Sequence, residues 1–167
     1  QVTVNNGQFG VTRGYLANAG KVRSQGIEAD FKVVASDRLT AYVNGAYTDA
    51  EYVRFVDSPC PPEFSGGSRS SCNISGQGLP GVSKWAFSYG AEANAPVTLL
   101  AKEGQVYIGV DGNYRSHFQS NAAPSIYTRV KGYALTNVRA GFRGEGFDIF
   151  GWVRNALDVD YIETLQV

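Results

Sequence analysis

The sequence predicts an all-β chain, and more narrowly an up-and-down antiparallel transmembrane β-barrel fragment. Three observations carry this expectation. The first is alternation: Ile27, Ala29, Phe31 and Val33 share one parity, while Glu28, Asp30 and Lys32 hold the other. A strand sends successive side chains to opposite faces, so this stretch has one apolar and one charged face. The second is length: the alternation runs over residues 22–34, resumes at Leu39 and continues to Phe55. Soluble strands usually have about 5–6 residues, whereas a tilted membrane strand needs about 9–11. The third is the sorting of connections. Those near Ser36-Asp37, at 96–104 and at 144–146 are short, and those at 5–20, 57–82 and 117–131 are long. In a meander every second connection lies at the same end, so all the long ones share one rim. That asymmetry is the habit of outer-membrane barrels, and it makes the long-loop rim extracellular.

Composition agrees. Aromatic residues and glycine are plentiful and helical Ala-Leu-Glu-Lys runs are missing. The formal net charge is zero, which argues against a nucleic-acid partner. No apolar run approaches the roughly 18 residues of a membrane helix, an absence that means nothing for a barrel. The chain begins at Gln1 and contains no methionine, so a piece of a longer protein is expected.

Taken in order, residues 1–4 alternate weakly and read as the end of an upstream strand. Residues 5–20 read as a connection. The hairpin turning at Ser36-Asp37 follows, with Leu39, Ala41, Val43, Gly45 and Tyr47 on its apolar parity. Residues 57–82 are too rich in proline and glycine for regular structure. They carry the only cysteines, Cys60 and Cys72. A disulfide is expected there, worth roughly 3 kcal/mol for so short a loop. Unpaired thiols and a two-cysteine zinc site are the alternatives, the second weakened by the lack of a nearby histidine. Residues 83–95 form a third strand, with Trp85, Phe87, Tyr89, Ala91 and Ala93 apolar. Residues 96–104 connect it to a fourth at 105–115, where Val106, Ile108, Val110 and Tyr114 oppose Gln105, Asp111, Asn113 and Arg115. A long loop, 116–131, leads to a fifth strand at 132–143 and a sixth at 147–155. Parity in the sixth is blurred by Phe150 and Trp152. Residues 156–167 leave the sheet.

The aromatics fall into two layers. Tyr47, Trp85 and Tyr114 have the apolar parity near the long-loop ends of their strands. Phe31, Phe142 and Phe147 lie near the short-turn ends. Amphipathic rings favour the headgroup level at both membrane interfaces.

Four segments resemble one family, the TonB-dependent outer-membrane receptors. Asn18-Ala19-Gly20 followed by Gly26-Ile27-Glu28 resembles its N-A-G-x-x-x-x-x-G-[VI]-E strand opening. Ala46-Tyr47-Thr48-Asp49-Ala50 resembles its A-Y-T-D-A strand exit. Leu79-Pro80-Gly81-Val82-Ser83-Lys84-Trp85 resembles L-P-x-x-P-x-[WH], with Ser83 in place of the usual proline. Asn155-Ala156-Leu157-Asp158-Val159-Asp160-Tyr161 resembles the near-terminal N-L-F-D-x-x-Y. The resemblance implies about six full strands from the C-terminal part of a barrel of about 22 strands. On this resemblance the whole of 1–167 is expected to belong to that part, with the plug domain and last strand expected to be absent from it. It also implies outer-membrane lipid around the barrel, a TonB complex reached through the plug, and a scarce nutrient as cargo, a ferric siderophore above all. Passage through the oxidising periplasm favours the Cys60–Cys72 pairing. A passive porin-like channel and a soluble β-sandwich carbohydrate-binding module are the competing readings.

No catalytic set stands out, and no cofactor or metal site is expected. Gly76-Gln77-Gly78-Leu79-Pro80-Gly81 spells G-x-G-x-x-G, but it opens a strand rather than a helix. His117 with Ser116 or Ser120 and Asp111 lacks any nucleophile-elbow pattern. Asn73-Ile74-Ser75 matches a glycosylation acceptor, which a bacterial family discounts. The candidate ligand-binding residues are Arg115, His117, Phe118, Tyr127 and Arg129. They combine aromatic faces and hydrogen-bonding groups in one rim loop, and Arg115 suits an anionic group.

Overall fold

The computed structural model describes residues 2–5, 12–15, 20–64, 71–99 and 101–166. Two short strands, β1 (Val2–Asn5) and β2 (Thr12–Tyr15), pair antiparallel as a separate sheet. This corrects the expectation of an upstream strand end followed by a plain connection: residues 12–15 of that connection pair with residues 2–5. The main strands are β3 (Lys21–Ser36), β4 (Leu39–Arg54), β5 (Trp85–Leu99) and β6 (Lys102–Arg115). A two-residue ladder follows, β7 (Phe118–Gln119) with β8 (Arg129–Val130), then β9 (Tyr133–Gly144) and β10 (Phe147–Val153). The six long strands form one antiparallel sheet in the order β10-β9-β6-β5-β4-β3, a meander that is not closed. Among the described residues no helix is long and apolar enough to cross a membrane, which bears on helices alone.

The register sorts the side chains. Ile27 lies opposite Tyr47, and Tyr47 opposite Trp85; Ala29, Gly45, Phe87 and Tyr114 form the next row. Val106, Phe142 and Ile149 continue the same face across β6, β9 and β10. Cross-strand partners share a face, so the apolar parity is one continuous surface. It is open to its surroundings: Ile27 is 75% and Ile149 69% exposed. An apolar face of this extent belongs in lipid. The opposite face carries Glu28, Asp30, Glu92, Asp111, Arg139 and Arg143 and lines the lumen.

The register also resolves β10. Phe147, Ile149, Gly151 and Val153 face lipid with Phe142 and Ala140, so Phe150 and Trp152 have luminal parity beside Gly141 and Arg139. The sixth strand stops at Val153, short of the expected 155, because Asn155 takes a positive φ of 49°. The expected connection at 96–104 is corrected too: β5 runs through Pro96 to Leu99, leaving only 100–101 before β6. Asn94 donates its N–H to the Arg38 carbonyl. Pro96 shares that parity, so its missing N–H falls beyond Leu39, the first residue of β4, and the ladder loses no bond.

Small residues let long ones reach across strands. Arg139 lies over Gly109, where a Cβ would come 2.9 Å from its Nε, and so reaches Glu92 at 3.0 Å. On the lipid face the Tyr89 ring covers Gly112, and its hydroxyl shares a 2.8 Å hydrogen bond with Thr136.

The height of the lipid layer can be read from β3 and β4. Both have 16 residues, more than a membrane crossing needs. Above the row of Ile27, Tyr47 and Trp85 the same outward parity turns polar, with Gln25 opposite Asp49 and Arg23 opposite Glu51. Arg23 donates to Glu51 at 2.8 Å and the Lys84 ammonium lies 3.3 Å from Asp49. The aromatic row is therefore the last apolar row on this face of β3 and β4 before it turns polar.

Candidate ligand-binding rim

Two of the long connections, 57–82 and 116–131, are held by hydrogen bonds among their described residues. After β4 the chain rises as a finger stapled by the Cys60–Cys72 disulfide, with Cα atoms 4.9 Å apart. Ser58 and Cys72 exchange backbone hydrogen bonds of 3.0 and 2.8 Å. The returning chain extends the β4 ladder: Tyr52 N–H donates to the Gln77 carbonyl, Gly76 N–H to Tyr52, and Leu79 N–H to Ala50. Ala50, Tyr52 and Ile74 are buried there. Gly76 and Gly81 of the G-x-G-x-x-G run sit at φ of 82° and 77°, so they are turn glycines.

The long loop 116–131 contains the β7–β8 ladder and a 3-10 turn at Ile126–Thr128. Ser125 caps that turn, its hydroxyl accepting from the Tyr127 N–H at 3.1 Å. Phe118, Thr128 and Val130 are buried beneath it.

Side chains tie the two loops into one body. Arg115 Nε donates to Ser83 Oγ at 3.1 Å, and Nη2 donates to the Gly81 carbonyl at 2.9 Å. Its guanidinium carbon stands 3.9 Å from the centre of the Phe118 ring. Ser83 in turn donates to the Ser116 carbonyl, and Ser116 Oγ accepts from the Trp85 N–H. Gly81 N–H donates to the Gln119 carbonyl at 2.7 Å. Glu63, on the finger, accepts from the Ile126 N–H at 2.8 Å.

Backbone N–H groups, its own and that of Ile126, hold the Glu63 carboxyl below the usual carboxylate range. A carboxyl with a depressed folded-state pKa contributes to the contact above its unfolded pKa and loses that contribution as pH falls through the folded value. At neutral pH Glu63→Gln should therefore speed hydrogen exchange at Ile126 relative to the parent. The two proteins should converge once pH drops below the depressed pKa. Equal exchange at neutral pH would mean that the carboxylate does not hold the loops together.

Between these elements lies a cavity of about 270 Å³ lined by Thr48, Lys84, His117, Phe118, Gln119 and Arg129. Among the described residues the side chains of His117 and Arg129 have no hydrogen-bond or ion-pair partner. A broader hollow of about 740 Å³ opens on the luminal face, with Glu28, Asp30, Asn44, Ser88 and Asn113 among its walls.

Of the five candidates, His117, Phe118 and Arg129 surround the small cavity. Arg115 stands against Phe118 with Nε and Nη2 engaged by Ser83 and Gly81, and its side chain also lines the broader luminal hollow. Tyr127 does not line the cavity and is well exposed. The hydrolytic grouping is absent. Ser116 Oγ is held by Trp85, Ser120 Oγ accepts from the Leu165 N–H, and Asp111 accepts from Asn137 and pairs with Arg139. Asn73 uses its side chain locally, accepting from both N–H and Oγ of Ser75. Among the described residues no group of histidine, cysteine, aspartate and glutamate could hold a metal ion.

Sequence reasoning missed Glu63, Ser83 and Lys84. Only Ser83 carried a signal: it stands where the strand-opening pattern has proline, and a proline there would have no hydroxyl to join Arg115 to Ser116.

Comparison with known proteins adds one match: a family model for the TonB dependent receptor-like β-barrel aligns with residues 1–156. No curated protein and no solved structure matches the chain. The meander, the apolar outer face and this match over nearly the whole sequence place the protein: the chain belongs to the TonB-dependent receptor-like β-barrels, transporters rather than enzymes, which sit in the bacterial outer membrane and couple import to TonB.

Proposed function

We propose that this barrel serves the import of a ferric siderophore or a similar bulky chelate, captured first at the extracellular rim. In this reading the six-stranded sheet is the C-terminal part of a barrel of about 22 strands. A plug domain elsewhere in the receptor gates the lumen and contacts the TonB complex. The observation that supports the reading is the rim cavity. It brings an aromatic face, Phe118, together with His117 and Arg129, whose donors are uncommitted among the described residues. A rigid scaffold carrying such groups suits recognition of an anionic chelate.

The test is titration of the full-length receptor with ferric siderophores, with and without proton-motive force. Saturable binding in both conditions and accumulation only in the energised one are expected. Arg129→Ala and His117→Ala should each weaken binding about tenfold, the scale of an interface hot spot. Unchanged binding in both variants at normal surface abundance would remove the cavity from the site. Failure of every ferric chelate to bind would overturn the cargo class.

A further inference from the structure

The rim finger carries one contact that its disulfide is placed to control. Between Cys60 and Cys72 the chain makes a 3-10 turn, Pro62–Phe64, which presents Glu63. The Glu63 carboxylate accepts from the Ile126 N–H at 2.8 Å. Among the described residues this is the only hydrogen bond from 59–64 to a residue outside the finger. Apolar packing does not duplicate it. Phe64 and Ile126, on the two sides of the junction, are 56% and 74% exposed. A hollow of about 520 Å³, with Pro61, Phe64, Cys72, Ile74 and Pro124 among its walls, opens between finger and loop.

Beyond the junction the contacts run on to the rim cavity. Ile126 opens the turn Ile126–Thr128, and Arg129 follows it directly. Thr128 Oγ1 donates to the Gln119 side chain at 3.3 Å, and the Thr128 carbonyl accepts from the Ser120 N–H at 2.8 Å. Gln119 and Arg129 are walls of the cavity. Disulfide, Glu63, turn and cavity wall therefore form one unbroken series of contacts.

We infer that the Cys60–Cys72 disulfide is a redox-sensitive brace of the rim cavity, with Glu63 as the positioning residue through which it acts. The inference rests on the reading of that cavity as the capture site. With the disulfide intact the finger is a short closed ring, which keeps the carboxylate at high effective concentration beside Ile126. Once it opens, the exchange of backbone bonds between Ser58 and Cys72 alone closes the neck. So short a ladder is not stable by itself in water. The carboxylate then spreads over many positions and the turn loses its outer tie. A small thiol at the cell surface is the class of reductant that opens the bond. Its thiolate attacks one cysteine sulfur and releases the other cysteine as a thiolate. A second reductant thiolate attacks the first reductant's sulfur in the mixed disulfide, releasing the remaining cysteine and the oxidised reductant. Two electrons thus pass to the cysteine sulfurs, and each sulfur takes up one proton. Neither cysteine is fully buried, which leaves the bond within reach of such a reagent.

The experiment takes the full-length receptor, either oxidised or reduced with a small thiol and then alkylated so that no reductant remains. Hydrogen exchange reads the brace, and titration with ferric siderophores reads the cavity. Reduction should quicken exchange at Ile126 and Thr128 about tenfold and weaken chelate binding about tenfold. The double variant Cys60→Ser with Cys72→Ser should match the reduced parent and ignore the reagent. Glu63→Gln separates the brace from any general effect of the disulfide. It should bind weakly from the outset, and reduction should weaken it little further, because the two changes remove the same tie. Exchange at Ile126 unchanged by reduction, the same chelate bound equally tightly after it, or a full further loss in Glu63→Gln would overturn the inference. Quickened exchange in a receptor that binds no ferric chelate in either state would uphold the brace and count against the cargo reading alone.

Discussion

Gly26→Ala should lower the amount of folded receptor in the outer membrane almost as far as Gly26→Val does. The reason is where the clash lies. Gly26 pairs with Thr48, and a Cβ built on it would overlap the carbonyl oxygen of Tyr47. The obstacle is backbone, held in the β3–β4 ladder, and it cannot turn aside as a side-chain tip would. Both substitutions add the offending atom, and valine merely adds two more beyond it. Overpacking typically costs about 1–3 kcal/mol and more where backbone must move. Against a total of about 5–15 kcal/mol that is a large share. Gly151 is the control: nothing lies within 4 Å of a Cβ placed there, so Gly151→Ala should be tolerated. Folded receptor can be followed by its heat-dependent migration on a gel. A Gly26→Ala protein as abundant as the parent would show that β3 and β4 do not approach so closely.

Gly26 belongs to one of the motifs by which the family was recognised, and this contact gives that glycine a physical reason. Much of the fold was legible in the same way. Strand parity depends on neighbours in sequence, so Ile27, Phe31, Val43 and Ile108 announced their face without a structure. The sorting of short and long connections gave the meander. What escaped was set by partners far along the chain. Pro96 read as a strand end, because what makes a proline harmless there is that β4, far earlier in the sequence, begins only at Leu39, opposite Ala93. Phe150 and Trp152 blurred β10, because an aromatic residue has the same hydropathy on either face and only the pairing with Gly141 and Arg139 assigns the side. At the rim the limit was sharper. Residue types picked out His117, Phe118 and Arg129, which do meet. They also picked out Arg115, but a sequence displays a guanidinium without the carbonyl and hydroxyl that its Nη2 and Nε reach.

Those two bonds lead to a second expected result: Arg115→Leu should loosen both rim loops together. The side chain makes two hydrogen bonds into the 79–84 segment and stacks on Phe118 of the following loop. A hydrogen bond to a charged group contributes about 1.5–3 kcal/mol, and a cation–π contact about 0.5–2 kcal/mol. Arg115 is only partly buried, so solvent screening places the sum toward the low end. Leucine keeps some packing against Phe118 but supplies no donor to Ser83 Oγ or the Gly81 carbonyl. Hydrogen exchange should therefore quicken about tenfold or more across residues 81–85 and 116–120 at once. Arg115→Lys separates charge from geometry. An ammonium carries the same charge but lacks the planar fork that reaches two acceptors while lying flat on a ring. It should recover only part of the protection. If exchange quickened in one loop alone, or if lysine restored both fully, Arg115 would be a local charge and not the link between the loops.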